Sequence, residues 1–269
     1  MRGINYKINS GPGPMAPWLV LINGLLATLE SWDIHVSELS RDFNILRYDG
    51  PGQGKSPDIA QKVTLEEQVD VLDSLLLKLG IKSAFLVGLS NGGRVAMGLS
   101  LKNPKIVRGQ IVAASYANTS PFINSVLNSW KKAHLEGGPE HRFDVALPWI
   151  WGRSTLEANV DLIPRYRSLS HSWKKENVQA LIASGMEGEL ELNEISVPTL
   201  FLTGEEDILT TPTLQREMAD KVKQAKFGVM NGGHACLLEH PGEAVEIIKH
   251  FCRKEKLSEL DFISGSQLS

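Results

Sequence analysis

The segment Phe85-Leu86-Val87-Gly88-Leu89-Ser90-Asn91-Gly92-Gly93 begins as an apolar run and ends in small residues. The run has the length and composition of a buried strand, and residues 94–101 after it are helix-like. Between strand and helix lies the pattern Gly-x-Ser-x-Gly, whose small flanking residues allow a tight turn without Cβ clashes. Such a turn would present the hydroxyl of Ser90 at the carboxyl edge of a sheet. The alternative interpretation of Ser90 is a helix N-cap, a position that serine favours.

Along the rest of the chain, short apolar runs alternate with stretches of helical periodicity, which is typical of an α/β fold. Several runs are almost continuously apolar, as expected for strands covered on both faces in a mostly parallel sheet flanked by helices. The predicted strands are residues 4–8, 18–22, 43–47, 84–88, 108–114, 199–203 and 226–230. The predicted helices are residues 65–79, 92–101, 213–222 and 243–252. Thr64 and Glu67 form a predicted capping box at the start of the first of these helices.

The alternation stops in residues 119–190, where helix-like segments follow one another without a strand pattern. We interpret this stretch as an inserted helical lid on a core formed by residues 1–118 and 191–253, followed by a polar tail at 254–269. Aromatic residues gather in the lid, and most of them are expected to pack it onto the core. Trp149 and Trp151 are the candidates for binding substrate.

A serine hydroxyl is a weak nucleophile, so Ser90 needs a base within hydrogen-bond reach and a group that orients that base. One predicted strand runs into Gly204-Glu205-Glu206-Asp207, and another runs into Asn231-Gly232-Gly233-His234. Because ligands bind outside the carboxyl ends of parallel strands, Ser90, Asp207 and His234 are predicted to meet there as a catalytic triad. Glu206 remains the competing acid, and the alternative role of Asp207 is that of a turn residue.

An acyl-transfer site also needs hydrogen-bond donors aimed at the developing oxyanion. We expect one donor to be the backbone N–H of Asn91, which directly follows the serine. The second expected donor is the backbone N–H of Leu25, because Gly24 lets its loop come close to the serine turn. The alternative interpretation of Asn23-Gly24 is a simple turn.

Three glycines in residues 47–56 superficially suggest a phosphate-binding loop. Their spacing does not fit one, since Asp49 stands where a phosphate loop has its first glycine. We interpret the stretch as a structural turn, and Asp49 is expected to brace that turn or the loop that carries Asn23.

The composition excludes several classes of protein. The chain has 269 residues, and its 28 Lys and Arg against 31 Asp and Glu give a formal charge of −3, which disfavours nucleic acid as a partner. Cys236 and Cys252 are too few for a disulfide scaffold and lack zinc-ligand spacing, which fits a reducing compartment. No apolar run is long enough for a transmembrane helix, and the first residues lack the pattern of a secretory signal. The cytoplasm is therefore the expected location.

These motifs together resemble the α/β-hydrolase fold family, and the resemblance covers residues 4 to about 253. It includes an Asn-Gly pair where His-Gly usually stands and a loop similar to the family's Asp-x-x-Gly-x-Gly-x-Ser. The group most similar in character comprises 3-oxoadipate enol-lactonases and small esterases, which implies a helical lid after the sixth strand. Residues 21–28 also resemble the Asn-Gly-x-x-Ala-Thr segment of 3-hydroxyacyl transferases, although Gly88 departs from those enzymes.

The sequence thus predicts a serine hydrolase that cleaves a small-molecule carboxylic ester or lactone and needs no metal or organic cofactor. Ser90 would be the nucleophile, His234 the base and Asp207 the orienting acid. One alternative is an acyltransferase with an alcohol or thiol acceptor, and another is a non-catalytic receptor on the same fold. The oligomeric state stays open, with a homodimer as one option.

Overall fold

The computed structural model describes residues 3–159 and 162–253. The strands in these residues form one seven-stranded sheet. Its order is β1-β3-β2-β4-β5-β6-β7. Only β1 runs antiparallel to its neighbour among the described strands. The predicted α/β class with a mostly parallel sheet is therefore confirmed. The strands are β1 Tyr6–Asn9, β2 Trp18–Ile22, β3 Asn44–Tyr48, β4 Ala84–Leu89, β5 Val107–Ala113, β6 Thr199–Gly204 and β7 Ala225–Met230.

All seven predicted strands are present, and their ends differ from the prediction by at most two residues. The first strand begins at Tyr6 rather than at residue 4, because its pairing with β3 starts with Tyr6 opposite Tyr48. Strands β4 and β6 are buried along their whole length. This burial explains why their sequences are almost continuously apolar.

Helices cover both faces of the sheet. On one face pack α1 (Asp33–Leu39), the short α9 (Cys236–Glu239) and α10 (Pro241–Arg253). On the other pack α2 (Leu65–Lys78), α3 (Asn91–Lys102) and α8 (Pro212–Ala219). The capping box of Thr64 and Glu67 at the start of α2 is confirmed. Helix α8 ends at Ala219, before the predicted end at residue 222. The reason is a tighter turn, in which the Lys221 N–H donates to the Met218 carbonyl three residues earlier.

Further helices lie between β5 and β6, where the lid is predicted: α4 (Pro121–Ile150), α5 (Arg153–Ala158), α6 (Leu162–Leu169) and α7 (Lys175–Gly185). Helix α4 is broken at Gly138, whose φ of +77° is not helical. These helices follow β5, the fifth strand in the described chain, so they lie in the interval between predicted strands where the sequence places the insertion. The lid boundaries at 119 and 190 stay a prediction, and the predicted tail at 254–269 lies outside the described residues.

Short 3-10 helices connect several of these elements, at Leu29–Trp32, Pro104–Ile106, Ser170–Ser172 and Leu192–Glu194. The described helices include none with both the length and the apolar character that crossing a membrane requires.

Candidate active site

Ser90 occupies the turn between β4 and α3 and has a left-handed backbone, with φ +57° and ψ −120°. Such a conformation is strained for a residue with a side chain, and strain of this kind concentrates at functional sites. The Ser90 N–H donates to the Ala113 carbonyl at 2.8 Å, which fixes the turn onto β5. Ser90 stands at the N-cap position of α3, but its side chain makes no capping hydrogen bond. The hydroxyl is therefore not used to stabilise the helix.

The two glycines that flank Ser90 allow the backbones to pass closely. A Cβ atom at Gly88 would lie 2.2 Å from the Gly92 carbonyl oxygen, and one at Gly92 would lie 2.2 Å from the Ile22 carbonyl oxygen. Both distances are far inside van der Waals contact with atoms of the main chain, which cannot move aside cheaply. The Gly-x-Ser-x-Gly pattern thus reflects a steric requirement of this turn.

Gly92→Ala should lower the free energy of unfolding by about 1–3 kcal/mol, because the added methyl group forces α3 away from β2. Urea denaturation followed by circular dichroism measures this loss. The matched control is Gly242→Ala, since a Cβ at that position meets nothing within 4 Å. A loss no larger for Gly92→Ala than for the control would contradict the steric account of the turn.

The structure brings Ser90, His234 and Asp207 into one hydrogen-bonded chain. The His234 Nε2 atom lies 2.9 Å from the Ser90 Oγ atom, and the His234 Nδ1 atom lies 3.1 Å from an Asp207 carboxylate oxygen. Asp207 follows β6 and His234 follows β7, so both lie at the sheet edge where β4 delivers Ser90. His234 and Asp207 are buried. This arrangement can withdraw a proton from the hydroxyl and stabilise the resulting imidazolium.

Asp207 is held in place by its own turn. Its Oδ1 atom accepts hydrogen bonds from the backbone N–H groups of Leu209 and Thr210, each at 2.8 Å, and its Oδ2 atom accepts from the Thr210 hydroxyl at 2.7 Å. Burial by itself raises the pKa of Asp207, but the nearby His234 and these hydrogen bonds outweigh it and lower the pKa. An ionised carboxylate opposite Nδ1 favours the tautomer with its proton on Nδ1, which leaves Nε2 free to accept the proton of Ser90.

Glu206, the competing acid, has a different role. Its Oε2 atom accepts a hydrogen bond from the Ser154 backbone N–H at 3.0 Å. The structure therefore places Asp207, and not Glu206, against the imidazole of His234. The turn interpretation of Asp207 also holds, since the same carboxylate binds the turn and His234. Thr210, which bonds to both Asp207 and His234, was not singled out by the sequence, although it lies only three residues after the aspartate.

The loop after β2 lies directly beside the nucleophile. A Cβ atom at Gly24 would approach the Ser90 Cβ atom to 3.2 Å, so the glycine is what permits this close packing. The Gly24 carbonyl accepts a hydrogen bond from the Gln53 side chain at 2.7 Å. Within the described chain, the backbone N–H groups of Leu25 and Asn91 donate to no other residue. Their role as oxyanion donors stays a prediction.

Asp49 braces two segments at once. Its carboxylate accepts a hydrogen bond from the Lys55 N–H at 3.0 Å, within its own turn, and another from the Leu29 N–H at 2.8 Å, just after the Asn23 loop. The two roles that the sequence left open for Asp49 are thus both present. They fix the loop of Leu25 to the rest of the core.

A cavity of about 320 Å³ lies above Ser90 and His234, between the core and the helices that follow β5. Trp151 lines this cavity, whereas Trp149 is not among its lining residues and packs its ring against that of Phe122, with 5.8 Å between the centroids. Trp149 lies within α4, and Trp151 lies just beyond its end with an extended backbone. Substrate binding by either tryptophan stays a prediction. Further aromatic residues of this region line the cavity, namely Trp130, Phe143, Tyr166 and Trp173.

Glu239 connects the segment that carries His234 to the end of the long helix α4. Its carboxylate accepts hydrogen bonds from the backbone N–H groups of Gly152 and Gly233, each at 2.9 Å. The Ala235 N–H also donates to the Ile150 carbonyl at 2.8 Å. Glu239 therefore links the backbone just before His234 to the backbone just after α4, and its long-range contacts left no pattern in the sequence.

Cys236 and Cys252 are both free. Burial raises the pKa of each thiol, which keeps both in the neutral, unreactive form. Across residues 3–159 and 162–253, no three His, Cys, Asp or Glu side chains come close enough together to hold a metal ion.

Comparison with known proteins identifies the family. Residues 19–247 match the model of the alpha/beta hydrolase family. The proposed carbamate hydrolase RutD of Stutzerimonas stutzeri (strain A1501) is 26% identical, over 86% of this chain and 90% of that relative. The 3-oxoadipate enol-lactonase 1 of Acinetobacter baylyi is also 26% identical, over 94% of both chains.

A solved structure shows the same architecture. MGS-M2, an alpha/beta hydrolase enzyme from a Medee basin deep-sea metagenome library, superposes with a TM-score of 0.89 and 28% identity, covering 94% of this chain and 95% of that one. The resemblance to enol-lactonase-like members, predicted from the sequence motifs, is confirmed by these relatives. The chain belongs to the alpha/beta hydrolase family.

Proposed function

We propose that this protein is a serine hydrolase that cleaves a carboxylic ester or lactone through an acyl-enzyme. The observation that carries the proposal is the hydrogen-bonded chain Ser90–His234–Asp207, of which Ser90 and His234 line a cavity. The relatives support the same type of reaction, because a carbamate and an enol-lactone each have a carbonyl carbon that bears a heteroatom leaving group.

In the first half of the reaction, His234 Nε2 removes the Ser90 proton while the oxygen attacks the substrate carbonyl carbon. The backbone N–H groups of Leu25 and Asn91 donate to the oxyanion of the tetrahedral intermediate. Each such donor contributes about 2.7–4 kcal/mol of transition-state stabilisation in a comparable enzyme. The imidazolium then gives its proton to the leaving oxygen as the ester C–O bond breaks, which leaves the acyl group on Ser90.

In the second half, a water molecule takes the place of the departed alcohol. His234 accepts a proton from this water, and the resulting hydroxide attacks the acyl carbon. The intermediate collapses with return of the proton to the Ser90 oxygen and release of the carboxylic acid. A volume of about 320 Å³ is at the small end for ligand sites, which favours a small substrate.

An acyltransferase would use the same acyl-enzyme with an alcohol or thiol in place of water. Ala27 and Thr28, which belong to the transferase-like segment, do line the cavity. However, Gly88 departs from those transferases, and a Cβ atom there would clash with the Gly92 carbonyl, so no residue larger than glycine fits this turn. This difference favours hydrolysis. The two free cysteines support a reducing compartment such as the cytoplasm.

Product analysis with p-nitrophenyl butyrate tests the proposal. Purified protein should release p-nitrophenol and free butyrate in equal amounts, whether or not a 3-hydroxyacid or coenzyme A is added as acceptor. Ester or thioester products that outrun free acid would establish transfer instead. A folded protein that turns over no ester of any chain length would favour the non-catalytic receptor.

Activity should fall on acidification because a protonated His234 cannot accept the Ser90 proton. Asp207 does not cause this fall. Its pKa lies below the ordinary value of 3.8, so its carboxylate stays ionised throughout the range in which histidines ordinarily titrate. A lowered folded-state pKa also means that the stability contributed by this carboxylate is complete above the ordinary aspartate pKa and disappears as pH falls through the lower native value.

Two pH series check these expectations. The kcat/KM for p-nitrophenyl butyrate between pH 9 and 5 should show a single acid limb. The difference in free energy of unfolding between wild type and Asp207→Asn should begin to narrow only below about pH 4. An activity that is flat from pH 8 to 5, or a difference that narrows near pH 6, would contradict the assignments.

A further inference from the structure

Arg142, on α4, lines the same cavity as Ser90 and His234 and is only 7% exposed. No carboxylate or other acceptor in the described part of the chain pairs with its guanidinium, and its Nε atom is fully buried without a partner. Burial lowers the pKa of Arg142 to about 10, and no acidic side chain counteracts this effect. The group remains charged at neutral pH, so the cavity wall carries an uncompensated cation.

The other two buried arginines in the described chain differ in this respect. Arg47 pairs with Asp33 and donates to the Leu29 carbonyl at 3.1 Å. Arg94 donates to the backbone carbonyls of two residues, Glu187 and Gly188, at 2.6 and 2.7 Å. The Nε atoms of Arg47 and Arg94 are also buried without a partner, but the terminal nitrogens of both side chains are hydrogen-bonded. Arg142 differs because the described residues provide no hydrogen-bond partner for any nitrogen of its guanidinium.

A buried charge without a partner is costly to the folded protein, because water no longer solvates it fully. A bound anion would remove that cost and form charge-assisted hydrogen bonds with the guanidinium, often in pairs. The indole N–H of Trp130, which also lines the cavity, has no partner and provides a second donor. Apolar and aromatic residues such as Phe143 and Leu147 form much of the remaining wall, which suits a hydrocarbon segment.

We propose that Arg142 binds a carboxylate group of the substrate, so that the enzyme hydrolyses esters or lactones whose acyl part ends in a carboxylate. This inference rests on the proposed function, because it assumes that Ser90, which lines the same cavity, is the nucleophile. A carboxylate is favoured over a phosphate monoester because one guanidinium balances a single negative charge, whereas the monoester carries nearly two. Arg142 is then the residue that determines specificity.

Paired substrates test this specificity. Wild-type kcat/KM should be higher for mono-p-nitrophenyl glutarate, which ends in a carboxylate, than for neutral p-nitrophenyl butyrate. In Arg142→Gln the ratio of the two values should fall about 10- to 100-fold. Arg153→Gln is the matched control, since it removes an equal charge from an exposed side chain of the same region and should leave the ratio unchanged. An Arg142→Gln ratio equal to that of wild type would overturn the proposal.

A binding measurement separates this inference from the proposed hydrolysis. Ser90→Ala protein should bind glutarate at least tenfold more tightly than glutaramide. Tryptophan fluorescence can measure this binding, because Trp130, Trp151 and Trp173 line the cavity. Adding Arg142→Gln should abolish this preference, and Arg142→Lys, which keeps the charge, should retain part of it.

Glutarate binding without any ester turnover would sustain the anion site and overturn the proposed hydrolysis. Ester turnover with no preference for glutarate over glutaramide would sustain the proposed hydrolysis and overturn the anion site. If Arg142→Gln fails to fold, the comparison of the two ligands in the Ser90→Ala protein still decides the question.

Discussion

Ser90→Ala should reduce kcat/KM for ester hydrolysis by at least about 10⁴-fold, as removal of a triad nucleophile does in other enzymes. The change deletes the oxygen that forms the acyl-enzyme and leaves the neighbouring donors and cavity in place. The reduction corresponds to a loss of about 5.5 kcal/mol of transition-state stabilisation. Because the Ser90 side chain makes no capping hydrogen bond, the fold of the variant should be unaffected.

Steady-state kinetics with p-nitrophenyl butyrate and circular dichroism on the same samples check both parts of this expectation. Ser125→Ala is the matched control, since its hydroxyl only bonds to the Pro121 carbonyl at the surface of α4. A fall of less than tenfold in folded Ser90→Ala protein would mean that another group is the nucleophile.

Asp207→Asn should reduce kcat by about 10⁴-fold, nearly as much as loss of the nucleophile. The reason lies in the donors around the carboxylate. Two backbone N–H groups point at Oδ1, so the asparagine oxygen is expected to take that position and its NH₂ group to face His234. An NH₂ donor opposite Nδ1 favours the opposite tautomer, in which Nε2 carries the proton and cannot accept the proton of Ser90.

Glu206→Gln is the control for this variant. Gln keeps an oxygen that can accept the Ser154 N–H, and the residue makes no hydrogen bond with His234. Its kcat should stay within about threefold of wild type, as expected for a residue outside the triad. Equal losses in the two variants would show that the acid of the site has been assigned wrongly.

The sheet could be predicted from the sequence because its signals are local. Apolar runs such as β4 and β6 are buried on both faces, and each ends in glycine and polar residues at the same edge of the sheet. That shared edge is also why Ser90, Asp207 and His234 could be predicted to lie together. The tight turn at Ser90 is similarly local, since it depends on two glycines within four residues of each other.

The cavity could not be predicted in the same way. Its walls depend on how α4, broken at Gly138, packs over the core, and no periodicity reports that angle. Trp149 and Trp151 are neighbours in sequence, yet only Trp151 reaches the cavity, because the helix ends between them. The partners of Glu239 and the unpaired state of Arg142 are likewise set by residues distant in the chain.

Covalent labelling with a fluorophosphonate tests most directly whether Ser90 is an activated nucleophile. Wild-type protein should gain one label, and peptide mass spectrometry should locate it on Ser90. Labelling should be lost in Ser90→Ala and strongly slowed in Asp207→Asn. Folded wild-type protein that takes up no label, or takes it up on a different serine, would contradict the account.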